Sequence, residues 1–462
     1  MTTSLYALGA FAPEGPGSLA IALVSAHPGP LGGAGTGGRS TQIADLAGAL
    51  AERGHRVTLY TRRDDADLPD RAALRVGVEL RRVPAGPPEP LSMDELLPHL
   101  WEFGRHLART WRVRPPDLVH SHGWVSGLAS LRVVRELGLP LLHTYHTLGT
   151  VARRQQQPTG PGDTRRIAHE REVGQGCDHI IATCRDEVAE LGRMGIPRDR
   201  ISVVPYGVDT AVFTPHGPAA APGTACHRLL QLGSLGPHRG TALSIAALAL
   251  LPTAELVVVG GPPADRLDGD PEVRRLRRAA ADAGVADRVR FTGGVPGHEV
   301  PALLRGADVV VCPTDHEPFG IVALEAMACG RPVVATAVGG RLDTVADPST
   351  GRLIPPGDPD ALARAVGELL ADPEAREACG AAGRRRALRR YGWERVAAAT
   401  EEAYCVVLDA QCAVMRWSGT AAAARRGRAP GGPVGQVRVS PAGPVGQVRV
   451  SPAVGPASSS VS

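Results

Sequence analysis

Two glutamates stand in an apolar stretch of the second half of the chain. Glu317 and Glu325 lie eight positions apart in HEPFGIVALEAMACGRPVVAT, and Gly320 and Gly330 bracket the helix predicted there. Carboxylates can accept hydrogen bonds from sugar and ribose hydroxyls, while the N-terminal amides of a helix, at Phe319 and Gly320, attract an anion. This combination predicts a site for a sugar joined to a nucleotide diphosphate.

Two glycine-rich loops follow predicted strands and precede predicted helices. The first spans 33–38 and contains G-x-G-x-x-G, and the second is LGSLGPHRG, which includes Ser234 and Arg239. Backbone N–H groups in such loops can approach a phosphate, and the charge of Arg239 would meet it there. Paired carboxylates also suit a glycosidase, but a glycosidase has no use for two phosphate-type loops.

The first loop leaves a second interpretation open, the binding of a nicotinamide dinucleotide. Two features argue against it. The preceding strand ends near Ala26 and the helix begins near Arg39, so the loop is longer than the tight turn of that fingerprint. The second strand also ends in TRR rather than in an acid that would hold a ribose. An NAD(P)-dependent oxidoreductase is therefore kept as the lesser alternative.

Four histidines close two neighbouring predicted strands, DLVHSH and PLLHTYH; they are His120, His122, His143 and His146. The carboxyl ends of strands in a doubly wound sheet face the ligand crevice, so we expect ligand contacts from this group. At least two of the four should serve the structure only. Because no cysteine or acidic residue stands beside them at ligand spacing, we predict no metal site.

Apolar runs alternate with helical patterns along most of the chain. This alternation predicts an α/β fold with two doubly wound, Rossmann-like domains. The predicted segments are a flexible leader at 1–17, an N-terminal acceptor-side domain at 18–212, a linker at 213–227, a nucleotide-sugar-binding domain at 228–390, a helix at 391–412 that packs back on the N-terminal domain, and a tail at 413–462. The tail contains GPVGQVRVSPA twice in tandem, and its Pro and Gly content predicts disorder.

Composition narrows the classes of function. A net charge of +4 over 462 residues is too small to indicate nucleic-acid binding. The eight cysteines form no C-x-x-C pair, no apolar run is long enough for a membrane span, and the N-terminal stretch lacks the features of a signal peptide. We therefore expect a cytoplasmic protein. The basic stretches RRLRR (274–278) and RRRALRRYGW (384–393) raise peripheral membrane contact as a possibility. We rank it low, because charge runs on helices are usually solvated faces.

With these motifs, the sequence resembles the retaining glycosyltransferases of family four, which have the two-domain GT-B architecture. The resemblance covers roughly residues 18–410 and rests on EPFGIVALEAMACGRPVVAT, VVGGP, AVGG, VVPYGVD and GTGG. The N-terminal half is most similar to the branch that contains the inositol-phosphate glycosyltransferases of mycothiol biosynthesis and the sucrose-synthesising enzymes. The resemblance implies a sugar transfer with retention of anomeric configuration.

The resemblance also implies roles for individual residues. Glu317 would hold hydroxyls of the transferred sugar and Glu325 the nucleotide ribose. Arg239 would neutralise the diphosphate leaving group, and His146 would contact the sugar from the N-terminal domain. The remaining donor-binding positions would be Gly37, Gly38, Ser234, Phe319 and Gly320. Leaving-group stabilisation and positioning would carry the reaction, with a nucleotide sugar, UDP-linked by preference, as co-substrate and no tightly bound cofactor.

Several positions depart from the family pattern. Ser234 stands where an Arg is usual and Arg239 where a Lys is usual. A lost hydrogen bond to a charged group costs about 1.5–3 kcal/mol, which predicts about ten- to a hundredfold weaker donor handling. Tyr206 replaces a common Asn, and the inositol-phosphate branch has Tyr and Asn where Gly123 and Ser40 stand.

The acceptor, a small molecule or a glycan, is predicted to lie against the N-terminal domain. The candidate contacts are Ser40, His122, Thr144 and Arg166, and Arg166 could meet a phosphate. Inositol phosphate is one candidate acceptor. Because of Ser234, a non-catalytic or weakly active sugar-nucleotide-binding protein remains an alternative to the enzyme.

Overall fold

A computed structural model describes residues 17–26, 39–154, 163–221, 223 and 225–426. For residues 39–40, 163–164 and 412–426 it describes the backbone only. The strands are β1 (Ala20–Ser25), β2 (Arg56–Arg62), β3 (Arg71–Arg75), β4 (Val78–Val83), β5 (Leu118–His122), β6 (Leu141–Thr144), β7 (His179–Ala182), β8 (Ile201–Val203), β9 (His227–Leu232), β10 (Ala254–Val259), β11 (Val289–Gly293), β12 (Val309–Cys312), β13 (Val333–Thr336) and β14 (Gly351–Ile354).

The α-helices of these ranges are α1 (Arg39–Glu52), α2 (Met93–Leu96), α3 (Leu100–Val113), α4 (Trp124–Leu137), α5 (Gly149–Arg154), α6 (Asp163–Gly176), α7 (Arg185–Arg193), α8 (Thr241–Leu248), α9 (Pro271–Asp282), α10 (Val300–Arg305), α11 (Ile321–Ala328), α12 (Arg341–Thr344), α13 (Pro359–Ala371), α14 (Pro373–Arg390) and α15 (Trp393–Arg426). Short 3₁₀ turns occur between several of them. No helix in the described ranges combines the length and the apolar character that crossing a bilayer requires.

The first sheet has the strand order β3-β4-β2-β1-β5-β6-β7-β8 over the described residues. Its neighbours run parallel, except that β3 runs antiparallel to β4 at one edge. The apolar run of β1 places Ile21 beside Val57 on one side and Leu118 on the other. Such a run suits a strand that is covered on both faces.

The second sheet has the order β11-β10-β9-β12-β13-β14, and every neighbouring pair in it is parallel. All four residues of β12 are buried. Helices cover both faces of each sheet, because separate apolar clusters lie on the two sides. The prediction of two doubly wound, Rossmann-like domains is confirmed. Strands β3, β4 and β14 were not predicted; the arginines of β3 hide its strand pattern.

The chain crosses from the first sheet to the second through an extended segment. Arg305 holds this segment on the second domain by donating from Nε to the Pro218 carbonyl at 2.6 Å and from Nη1 to Thr214 at 3.2 Å. The first turns of α15 then bury Val396 and Tyr404 in a cluster with residues of β1, β2 and α1. Helix α15 continues to Arg426, past the predicted end at 412.

The two domains also meet at the start of α7. The backbone N–H and Nε of Arg185 both donate to the Asp343 carboxylate, at 2.7 and 2.5 Å. Next to this contact, the Cys184 thiol donates to the Pro318 carbonyl at 3.3 Å. The carboxyl ends of strands from both sheets are thereby brought to a common crevice.

Candidate functional site

A cavity of about 90 Å³ lies at the carboxyl ends of β9 and β12. Four of the predicted donor-site residues line it together: Ser234, Arg239, Glu317 and Gly320. The loop after β9 and the loop after β12 supply two of these residues each. The structure therefore joins the phosphate-type loop and the first glutamate, which are about eighty positions apart in the sequence.

Local contacts fix the loop after β9. Gln231 donates from Nε2 to the Arg239 carbonyl at 3.1 Å and to the Thr241 hydroxyl at 3.0 Å. Gly240 has φ +72, and a Cβ there would lie 2.1 Å from the carbonyl oxygen of Pro313. Only glycine permits this contact between the two loops. The Arg239 side chain remains exposed at the cavity.

The AVGG motif supports the loop of Glu317 from below. The N–H of Gly340 donates to the Glu317 carbonyl at 3.1 Å, and a Cβ on Gly339 would lie 2.0 Å from that same oxygen. Gly320 begins α11 with φ +91, a left-handed conformation that favours glycine. These glycines let the EPFG and AVGG segments pack backbone against backbone, which holds Glu317 at the cavity.

Arg341, which the sequence analysis did not select, lines the same cavity. It is only 2 % exposed. Its Nη1 donates to the Thr336 hydroxyl at 2.6 Å, and its Nη2 lies 3.6 Å from Oε2 of Glu317. The sequence did offer a clue: Arg341 directly follows the AVGG motif, which itself follows the predicted strand RPVVAT.

Two predicted donor residues lie beside the cavity and do not line it. Phe319 is buried, and its ring centre lies 5.0 Å from that of Tyr206 and 6.1 Å from that of Tyr391. Glu325 lies one turn into α11. Protein surrounds its carboxyl, although the residue keeps some solvent contact, and burial raises the pKa of Glu325 to about 8.

A smaller cavity, of about 30 Å³, opens at the carboxyl ends of β5 and β6 in the first domain. His122, Thr144 and His146 line it, as does Tyr206. Nδ1 of His122 lies 3.1 Å from Nε2 of His146, whose Nδ1 contacts the Tyr206 hydroxyl. His146 has φ +66, which is uncommon for a residue with a side chain and occurs often at functional sites.

The other two histidines of this group have structural partners. His120 lies 2.9 Å from both the Tyr404 hydroxyl and the Thr144 hydroxyl, and burial lowers its pKa well below the usual value. His143 lies 2.8 Å from the Ser121 hydroxyl, and burial lowers its pKa to about 3. Both imidazoles are therefore neutral at physiological pH.

The remaining predicted residues lie elsewhere. Arg166 donates from Nε to Glu170 at 2.7 Å and from Nη2 to the Thr147 hydroxyl at 3.0 Å, and it lines neither cavity. Ser40 stands in the first turn of α1, and its side chain is not described. Gly37 and Gly38 lie outside the described residues.

The four histidines do not gather with acidic or thiol groups. In the part of the chain that the structure describes, no cluster of three or more His, Cys, Asp or Glu side chains could hold a metal ion.

Sequence reasoning also missed Gln42, whose amide exchanges two hydrogen bonds with the backbone of Gly207 at 3.0 and 3.1 Å. This pair attaches α1 to the segment that carries Tyr206.

Two family models match the chain, one on each domain. The model "Glycosyltransferase Family 4" matches residues 36–223, and "Glycosyl transferases group 1" matches residues 227–386. Among curated relatives, the D-inositol 3-phosphate glycosyltransferase of Acidothermus cellulolyticus is 38 % identical over 76 % of this chain and 83 % of the relative. The enzyme of the same name from Xylanimonas cellulosilytica is 37 % identical over 83 % of this chain and 96 % of its own length.

Solved structures agree with these matches. Sucrose-phosphate synthase from Thermosynechococcus elongatus superposes with a TM-score of 0.74 at 31 % identity, covering 84 % of this chain and 99 % of that one. Anabaena HepE in complex with UDP-glucose superposes at 0.64 with 19 % identity and the same coverage, which is a likeness of fold.

Two facing Rossmann-like domains with a charged cavity at the crevice define a GT-B transferase. The chain belongs to the retaining glycosyltransferases of family 4 and is a glycosyltransferase. None of the relatives named above favours a non-catalytic binder or an oxidoreductase.

Proposed function

We propose that the enzyme transfers a sugar from a UDP-sugar to a hydroxyl of a phosphorylated polyol, with D-inositol 3-phosphate as the first acceptor to test. The observation that carries the donor half is the 90 Å³ cavity, where Arg239, Glu317 and the N-terminus of α11 meet. The acceptor half is supported by the names of the curated relatives, which agree on D-inositol 3-phosphate.

In this proposal the donor lies along the second domain. The diphosphate faces Arg239 and the first-turn amides of α11, which have no acceptors within their own helix. Glu317 accepts hydrogen bonds from sugar hydroxyls. Glu325 would accept them from the ribose, which fits its position on the same helix. Neighbouring structures support UDP as the nucleotide, since HepE was solved with UDP-glucose.

The acceptor would lie against the first domain. Thr144, His122 and His146 offer a hydroxyl and two imidazoles that can donate and accept hydrogen bonds, which suits the hydroxyls of an acceptor. A phosphate on the acceptor requires a cation nearby, and Arg166 is the predicted one. Its contacts with Glu170 and Thr147 use Nε and Nη2, so a phosphate would bind at Nη1 or exchange with Thr147.

The transfer itself needs no enzyme nucleophile. The acceptor hydroxyl attacks C1 of the sugar from the face that the diphosphate leaves, the C1–O bond to the β-phosphate breaks, and the hydroxyl proton passes to the departing phosphate oxygen. Negative charge grows on that oxygen as the bond breaks. The enzyme lowers the barrier by holding positive charge and N–H dipoles where this charge develops.

The first test is a transfer assay with purified protein. UDP-glucose and UDP-N-acetylglucosamine are offered with D-inositol 3-phosphate, free inositol or fructose 6-phosphate, and products are identified by mass spectrometry and NMR. We expect one UDP-sugar to be consumed only with a phosphorylated acceptor. Transfer to free inositol at an equal rate would contradict the phosphate requirement.

Arg166→Gln tests the assigned cation, with Arg165→Gln as a matched control on the adjacent, exposed position of α6. A hydrogen bond to a charged group is worth about 1.5–3 kcal/mol, so R166Q should raise the acceptor KM about ten- to a hundredfold. R165Q should change it less than threefold. Equal effects of both variants would remove Arg166 from the acceptor site.

A further inference from the structure

Arg341 is a buried cation with hydrogen-bonding capacity to spare. We infer that its guanidinium is the second positive group of the donor cavity and binds the diphosphate of the nucleotide sugar, in place of a cation at Ser234. The inference rests on the proposed donor, a nucleoside diphosphate sugar, and adds to it a residue that neither motif nor family match identified.

The contacts of Arg341 leave one of its N–H donors without an acceptor among the described residues. Nη1 is engaged by Thr336 at 2.6 Å and by the Thr314 carbonyl at 3.4 Å. Nη2 lies 3.6 Å from Glu317, which is an ion pair but longer than a hydrogen bond. Nε is buried and has no hydrogen-bond acceptor among the residues that the structure describes.

This arrangement is costly without an anion. An arginine stays protonated in proteins, so burial does not neutralise it. A buried charge requires both a counter-ion and filled hydrogen bonds. Glu317 supplies one negative charge, whereas Arg239 and Arg341 supply two positive ones to the same cavity. Among the described residues that line the cavity, positive charge is therefore in excess, and one N–H of Arg341 is unused. A bound anion would balance the charge.

The N-terminus of α11 points to the same ligand from another side. Gly320, Val322 and Ala323 line the cavity together with Arg341. The aliphatic part of Arg341 packs directly under Gly320, where a Cβ would lie 3.2 Å from Cγ. An anion at the first turn of the helix would then meet helix amides and the guanidinium together, and planar guanidinium groups suit phosphate oxygens.

Ser234 lines the same cavity and is exposed. Its hydroxyl carries no charge and is much shorter than an arginine side chain. His238, the nearest other basic group in its loop, lies 3.6 Å from Asp315 and does not line the cavity. Arg341 is therefore the residue that can replace the charge absent at Ser234.

Calorimetric titration of the full chain with UDP and with uridine tests the inference. Arg341→Met keeps the aliphatic volume and removes the guanidinium. We expect UDP to bind about ten- to a hundredfold more weakly, with uridine, measured by displacement, bound within twofold of the parent. Arg352→Met is the control, since Arg352 lies on β14, donates to the Pro348 carbonyl and does not line the cavity.

Glu317→Gln separates diphosphate binding from the mere positioning of Glu317. If Arg341 acts only by orienting Glu317, R341M and E317Q should change UDP affinity equally, and both only slightly. The inference predicts a selective loss in R341M. UDP affinity in R341M equal to that of the parent would overturn it.

Substitutions at Ser234 provide a second, independent test of the inference. Ser234→Arg in the R341M background should restore UDP affinity at least tenfold, whereas Ser234→Arg in the parent should improve it less than threefold. A tenfold gain in the parent would show that the second cation was missing and would overturn the inference even if R341M did not fold. Failure of the parent to bind UDP at all would instead overturn the proposed function.

Discussion

The two cavities at the crevice use opposite kinds of polar group. In the first domain the polar groups that line the cavity include imidazoles and hydroxyls that bond to one another, and burial keeps the pKa of His120, which is one of them, low. In the second domain the groups carry fixed charge, namely Arg239, Arg341 and Glu317. Imidazoles and hydroxyls suit the recognition of acceptor hydroxyls, while fixed charges suit a leaving group that becomes more negative. In the proposed function, the first cavity would take the acceptor and the second would take the donor.

The largest expected effect comes from removing the only carboxylate among the described residues that line the charged cavity. Glu317→Gln keeps the shape of the side chain but removes the negative charge beside Arg341 that, in the proposed function, would accept hydrogen bonds from sugar hydroxyls. We expect turnover to fall about 10²–10³-fold, as for other preorganised polar groups at reacting centres. Steady-state kinetics with the identified donor measures this.

Asp315→Asn is the matched control, because Asp315 lies in the same loop but is half-exposed beside His238. It should retain turnover within about threefold. If D315N and E317Q were equally impaired, the loop as a whole rather than the Glu317 carboxylate would be responsible.

Tyr404→Phe tests the support of the cavity in the first domain. The substitution removes the hydroxyl that lies 2.9 Å from Nδ1 of His120. The buried Nδ1 of His120 would lose its partner, so we expect a loss of about 1–3 kcal/mol in the free energy of unfolding. Urea denaturation measures it, provided that a single transition is observed.

Tyr391→Phe offers a comparison on the charged side. The Tyr391 hydroxyl donates to the Asp343 carbonyl at 3.1 Å, but Arg386 donates to that oxygen as well, at 2.6 Å. The carbonyl stays satisfied, and the expected loss is about 0.5–1.5 kcal/mol. A larger loss for Y391F than for Y404F would contradict the view that the buried histidine depends on its one hydroxyl partner.

Gly320→Ala should lower the free energy of unfolding by about 1–2 kcal/mol, because alanine disfavours the left-handed φ of +91 at this position. The added Cβ would also press on Arg341, at 3.2 Å from its Cγ. Gly192→Ala, in α7 with open space around it, should instead be stabilising by about 0.5–1 kcal/mol. Thermal melts of both variants distinguish conformational strain from a general effect of losing glycine.

The smallest expected effect concerns the pH dependence of stability. The pKa of Glu325 is raised to about 8, so the folded state holds a proton that the unfolded state releases near its ordinary value of 4.5. The contribution is present at low pH and is lost as the pH rises through about 8. Between pH 6 and 9 the parent should lose on the order of 2 °C more in Tm than Glu325→Gln does. Parallel curves for the two proteins would contradict the raised pKa.

The fold was accessible from sequence because its strands are continuous apolar runs. The runs VVVC of β12 and AIALVS of β1 predict strands that are buried on both faces of the sheet. The edge strand β3 was missed because RAALR is short, begins and ends with arginine and contains two alanines, a composition that does not indicate a strand.

The residues of the candidate site could be predicted from the sequence only in part. Arg239 and Glu317 stand in loops between a strand and a helix, where α/β folds bind ligands, and local pattern was enough to select them. Arg341 was not selected, since its burial depends on the space that Gly320 leaves and on Thr336 at the end of a different strand. Such burial is a property of three segments together and has no signature in any one of them.

The bond between His120 and Tyr404 joins residues 284 positions apart, and this has a consequence for how the protein is made. The strands of the first sheet leave the ribosome early, whereas the helix that completes the floor of their cavity is synthesised almost last. At about 5–20 residues per second, that interval is roughly 15–60 s. During this time the nascent first domain has a sheet but no finished pocket. The proposed acceptor site is therefore complete only in the nearly finished polypeptide, even though every predicted acceptor contact lies in the first 170 residues.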